Sequence, residues 1–206
     1  PHHASYSTTD GTQVSTVIEL LPTLQQWEML LLQHVEIMDL TEDTIWEILC
    51  TQQCYIATDG SAPTDKGSFG WVISDMEGNI LATCYGPVFG AKISSYRAEG
   101  YGILSALRYL LKLTQIRHNH HGASTKILPH TLLCDNEGIV SRINTIKEWK
   151  KIYPNVTMEA EWDVIAEIRT TLAELTPQSQ PDFEHIKGHQ DKTTPREKLT
   201  LKAQLN

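Results

Sequence analysis

Apolar residues in the first fifty positions recur at helical spacing. Leu24, Trp27, Leu31, Val35 and Met38 form one stripe and Pro22 suits a first turn, which predicts a helix over 22–39. Thr41 stands where a cap is needed for a shorter helix bearing Ile45, Ile48 and Leu49. From residue 54 the pattern changes. "CYIATD" reads as a strand running into a charge at Asp59, and "SFGWVIS" and "NILATCYG" read as two more strands. Between these two lies "DMEGN", with Gly78 where a tight hairpin needs positive φ. Ile103, Leu107, Leu110 and Leu111 then mark a helix over 95–113, followed by a polar loop, "HNHHGAS". "TLLCD" is a short continuous apolar run, as a central strand covered on both faces requires. Ile139, Val140, Ile143 and Ile146 predict a helix, and Pro154 breaks the pattern. Trp162, Ile165, Ile168, Leu172 and Leu175 predict another helix, and "DFEHIKGH" is the last strand before a polar, lysine-rich tail.

The predicted order is β-β-β-α-β-α-α-β after a helical preface. Strands joined by short turns are antiparallel, and strands reached through helices run parallel to the first. The expected fold is α/β: a mixed five-stranded sheet, three strands antiparallel and the others parallel, with helices on both faces. Residues 1–50 read as a helical N-terminal extension or linker, and 51–206 as the α/β domain. A chain of 206 residues, 40% apolar, is long enough for both. The polar start "PHHASYSTTDGT" lacks the character of a signal peptide and no apolar run has the length of a membrane span. An intracellular, non-secreted protein is expected, with Cys50, Cys54, Cys84 and Cys134 as reduced core thiols.

The net charge of −8 argues against a simple basic nucleic-acid binder. It leaves room for an enzyme that gathers carboxylates around metal ions. Two strands carry such groups at one end. If the strands ending at Asp59 and Asp135 are parallel neighbours, both acids emerge at the sheet edge where α/β proteins place ligands. Glu99 sits on the apolar stripe of its helix, one turn before Ile103, so it aims at the sheet. An inward carboxylate is costly unless paired or bound to metal, and neither Arg97 nor Arg108 shares its face well. Three such acids suit Mg²⁺. In "HIKGHQD", Gly188 makes a turn beside His189 and Asp191, and a loop histidine near metal can move protons.

"TDGS", "GSFGWVI", "SSYRAEGYGILSAL", "LLCDN" and "IKGHQD", in that order, resemble the type 1 ribonuclease H domain, above all the versions in reverse transcriptases of retroelements. The resemblance covers residues 54–206. It implies a ribonuclease H-like fold and hydrolysis of the RNA strand of RNA–DNA hybrids with two Mg²⁺ or Mn²⁺ ions. Asp59, Glu99 and Asp135 match the metal-binding acids. His189 matches the loop histidine that assists proton transfer or product release. Gly60, Ser61, Ser95 and Asn136 fall where the family meets its substrate. A preceding polymerase region of the same polyprotein is an implied partner, alongside the hybrid.

One feature departs from the family. Its fourth carboxylate lies on a helix after the histidine loop, whereas "LTLKAQLN" carries no acid. The resemblance therefore implies a domain cut short within its last helix. Asp191 is a candidate substitute ligand. The alternative reading is a catalytically silent module that binds nucleic acid or acts as a spacer. Lys147, Lys150, Lys151, Lys187, Lys192, Arg196, Lys198 and Lys202 are candidate phosphate contacts, and a solvated surface explains each equally well.

Overall fold

The structure, a computed structural model, describes residues 14–121, 126–188, 190 and 194–205. Three antiparallel strands form its centre: β2 (Cys54–Ser61), β3 (Gly67–Asp75) and β4 (Ile80–Val88). Gly78 turns the β3–β4 hairpin at φ 92°, a conformation open to glycine. Beyond β2 lie two parallel strands, β5 (Thr131–Cys134) and β6 (Asp182–His185). A sixth strand, β1 (Glu36–Ile37), pairs antiparallel with the outer side of β4, giving the order β1-β4-β3-β2-β5-β6.

The expected mixed sheet with helices is present, with six strands instead of five. The long helix α4 (Ser95–His121) packs across β2, β3 and β4. Helices α5 (Glu137–Lys147) and α6 (Trp162–Glu174) complete the same layer. Ile56, Phe69, Trp71, Ile73, Leu132 and Cys134 face it from the sheet. Ala57, Leu133 and Ile186 face the other way, where Leu205 of the short helix α7 (Leu201–Leu205) meets them. Among the described residues no helix is long and apolar enough to cross a membrane.

The helix expected over 22–39 is broken. The chain forms α1 (Val17–Leu20), a 3-10 turn containing Pro22, and α2 (Gln26–Leu32), then turns into β1. Leu24 is extended at ψ 157°. Met38 donates its N–H to the Leu81 carbonyl instead of continuing a helix. The apolar spacing is real, but the unpaired edge of β4 offers this backbone a sheet partner that periodicity cannot reveal. Helix α3 (Glu42–Thr51) follows, capped as expected by Thr41, which accepts from the Thr44 N–H at 3.2 Å. The residues expected to loop at 118–121 instead extend α4, and 122–125 lie outside the described residues.

The N-terminal segment shares the main core. Val17, Leu20, Leu31, Leu32, Ile45 and Leu49 are buried with Ile103, Leu107 and Leu110 of α4. The Leu31 carbonyl accepts from Ser105 Oγ at 2.6 Å and from Cys84 Sγ at 3.4 Å, and Trp71 Nε1 donates to Ser105 at 2.8 Å. Carbonyls near a helix C-terminus lack partners inside the helix, and here the core supplies them. Buried acids add a second tie. Glu28 meets Lys112 at 3.1 Å and Arg108 at 3.5 Å. Glu42 accepts the Val17 N–H on both oxygens, at 2.9 and 3.1 Å, with Arg117 at 3.9 Å. Arg117 also holds Asp43 at 2.5 Å.

Candidate metal centre

Strands β2 and β5 are parallel neighbours in which Thr58 pairs with Cys134. The residues that follow, Asp59 and Asp135, therefore stand side by side at the carboxyl ends of the central strands. Asp59 lies within β2, opposite Gly70, and the strand runs on to Ser61. The Asp-Gly pair is thus no turn.

Glu99 comes from the first turns of α4. Ser94 caps that helix, accepting from the Arg97 N–H at 3.0 Å. Gly60 sets how closely α4 approaches the sheet, because a Cβ there would overlap the backbone of Ala98 and Glu99. The requirement for glycine at this position thus comes from the helix. Glu99 is 4% exposed and accepts from the Gly60 N–H. The Cys134 thiol lies 3.5 Å from Glu99 Oε2. Donor atoms of Glu99, Cys134 and Asp135 all lie within 4.8 Å of one another. Asp59 stands outside this closest group but near enough for its charge to act on Glu99.

Among the described residues no cation neutralises the cluster from within. Arg97 holds Glu161 at 2.6 Å and Asp163 at 2.6 Å, and donates to the Phe89 carbonyl at 2.6 Å. Arg108 is occupied by Glu28, Glu167 and Glu174. Among the described residues no ion pair reaches Asp59, Glu99 or Asp135. Burial, and then the charges of Asp135 and Asp59, push the Glu99 carboxyl up to about 8. The Cys134 thiol is pushed up as well, by burial and then by Glu99. Converging oxygens with a sulfur beside them, and no cation among the described residues to pair them, fit a divalent metal ion.

The other expected site residues fall around this cluster. Ser61 ends β2 and Ser95 opens α4, both exposed. Asn136 is committed locally: it caps α5, accepting from the Ile139 N–H at 3.2 Å, and its own N–H points to Cys134 Sγ at 3.4 Å. His189 and Asp191 lie outside the described residues, as does Lys192. Of the candidate phosphate contacts, Lys147 Nζ donates to the Pro181 carbonyl and Lys202 pairs with Glu184.

Three residues near the site carry no chemistry in the sequence reading. Cys134 reads there as a core thiol, which it is, yet its sulfur also reaches Glu99. His185 Nε2 lies 3.1 Å from the Asp135 carbonyl. Gly188 reads as a turn, but it packs so close to Asp135 that a Cβ there would overlap that carboxylate. Only the position of Cys134, directly before Asp135 on a strand, was a usable signal.

No protein-family model matches the chain, and no curated protein matches it in sequence. Solved structures similar to it include RNase H domains. The N-terminal RNase H domain of a Mycobacterium tuberculosis protein is similar at 13% identity and a TM-score of 0.45, with 71% of this chain and 90% of that one covered. LC11-RNase H1, solved with an RNA/DNA hybrid, has 19% identity and a TM-score of 0.45, with coverage of 69% and 89%. The RNase H domain of a foamy virus has 18% identity and a TM-score of 0.45, with coverage of 69% and 83%. At these scores the likenesses add no weight to a function.

Proposed function

We propose that this chain is a ribonuclease H-type domain that hydrolyses the RNA strand of RNA–DNA hybrids with bound Mg²⁺ or Mn²⁺. The supporting observation is the convergence of Glu99, Cys134 and Asp135, with Asp59 beside them and no pairing cation among the described residues. Asp59, Glu99 and Asp135 would hold the metal. Divalent ions bound there supply polarisation of a water and of the phosphate oxygens in an in-line displacement. Asp59 and Asp135, on adjacent strand ends, orient that centre towards solvent, while Glu99 closes it from beneath. Ser61 and Ser95 are small, exposed polar groups beside it, suited to the 2′-hydroxyls that distinguish RNA in a shallow minor groove. By resemblance, His189 assists proton transfer or product release, Asp191 is a further candidate ligand, and the domain belongs to a retroelement reverse transcriptase polyprotein.

The test is a hybrid labelled on each strand, incubated with Mg²⁺ or Mn²⁺. Cleavage confined to the RNA strand is expected. An intact hybrid, with cation binding established by calorimetry, refutes the reading. One observation favours a silent, hybrid-binding module instead: among the described residues Asp59 stands outside the Glu99, Cys134 and Asp135 group. That module would bind hybrid equally well after Asp59→Asn and cut it in neither form.

A further inference from the structure

We propose that Cys134 makes this centre thiophilic: Cd²⁺, Zn²⁺ and Co²⁺ bind through Glu99, Asp135 and the Cys134 sulfur, whereas Mg²⁺ binds through the carboxylates alone. The inference deepens the metal-centre reading above and rests on it. Its basis is the donor set. The sulfur is 3.5 Å from Glu99 Oε2 and lies within the same 4.8 Å group as a carboxylate oxygen of Asp135. Soft thiolate donors select Zn²⁺ and its neighbours, while Mg²⁺ takes oxygen and keeps its waters. The backbone N–H of Asn136 also points at the sulfur, from 3.4 Å.

The S–H bond breaks and its proton passes to solvent. The electron pair left on sulfur then bonds to the cation. Among the described residues no other cysteine belongs to a group of three metal-ligating side chains, so the preference is localised at Cys134. A thiophilic ion seated in this way would compete with Mg²⁺ for the same two carboxylates.

The test is titration of the full chain with Co²⁺ and Cd²⁺, following the thiolate-to-metal charge-transfer absorption. The band is expected in the native chain, retained in Cys50→Ser and absent from Cys134→Ser. Cd²⁺ affinity should fall by about 10–100-fold in Cys134→Ser, a loss seen even when an outer partner of a ligand is removed. Mg²⁺ affinity by calorimetry should be unchanged. The cadmium NMR resonance of the native chain reports a sulfur ligand without any variant, should Cys134→Ser fail to fold. No band in the native chain, or a band that survives in Cys134→Ser, overturns the proposal. Hybrid cleavage with Mg²⁺ is independent of both outcomes, so failure here and failure of the nuclease reading are separable.

Discussion

Helix α4 touches two groups of acids, each built around a buried glutamate, and they are treated in opposite ways. Along its later turns, Arg108, Lys112 and Arg117 meet Glu28, Glu42 and Asp43 of the N-terminal segment. In its first turns, Glu99 is as deeply buried, yet its neighbours are Asp59, Asp135 and a thiol. Paired with cations, a buried carboxylate fastens two parts of a fold. Surrounded by other acids, it leaves a charge deficit that an outside cation can fill. The contrast separates structure from site within one helix, more sharply than residue type or burial alone.

The largest expected effect falls on the unpaired group. Asp135→Asn should lower hybrid cleavage by at least about 100-fold, measured as the initial rate at saturating Mg²⁺. Its thermal midpoint in cation-free buffer should hold or rise, because a repulsion has been removed. A lower midpoint would mean that this group, too, is a fastener.

The paired group should respond in reverse. Glu42→Ala leaves the Val17 N–H and Arg117 with less compensation and should cost roughly 3 kcal/mol, as breaking a buried pair does, read from urea unfolding. Cleavage per folded molecule should be unchanged. A loss of cleavage without a loss of stability would break the division.

A smaller effect links both groups to pH. Burial raises Glu42 to about 7 against the pull of the Val17 N–H and Arg117, and raises Glu99 to about 8. Each acid holds a proton in the folded chain that the unfolded chain has released. Stability without divalent ions is therefore greatest below the ordinary carboxylate pKa and falls as pH rises through about 7 and about 8. Glu42→Gln should remove the first part of the fall and Glu99→Gln the second. Saturating Mg²⁺ should flatten the Glu99 part only, by denaturant titration across this pH range.

The smallest effect sharpens the boundary of the site. Asn136→Ala removes the α5 cap and should cost about 1 kcal/mol, measured by thermal unfolding. Hybrid affinity falling beyond that cost would give Asn136 a substrate contact in addition to its cap.

Much of this arrangement was legible in the residues themselves. Gly78 announced its hairpin, Thr41 its cap, and "TLLC" its central strand. The stripe of α4 pointed Glu99 inward. All of these follow from local geometry: a period of two along strands, a period near 3.6 along helices, and a positive φ that glycine accepts. The helix expected over 22–39 failed for a physical reason. Its residues satisfy helical spacing, but Met38 found a partner in Leu81, far along the chain.

The sequence by itself therefore determined the order of the central elements and the three acids worth following, because each depends on neighbours within a turn or a strand. Tertiary structure alone decided the sixth strand and the pairing of Glu28 and Glu42 with α4. It also decided the close packing of Gly188 on Asp135 and the place of the Cys134 sulfur among carboxylates. Those depend on which surfaces meet across long stretches of chain, and no local period encodes that. The charge at the end of "YIATD" was visible from the start, but that it stands beside acids that no cation among the described residues neutralises became visible only once the chain was folded.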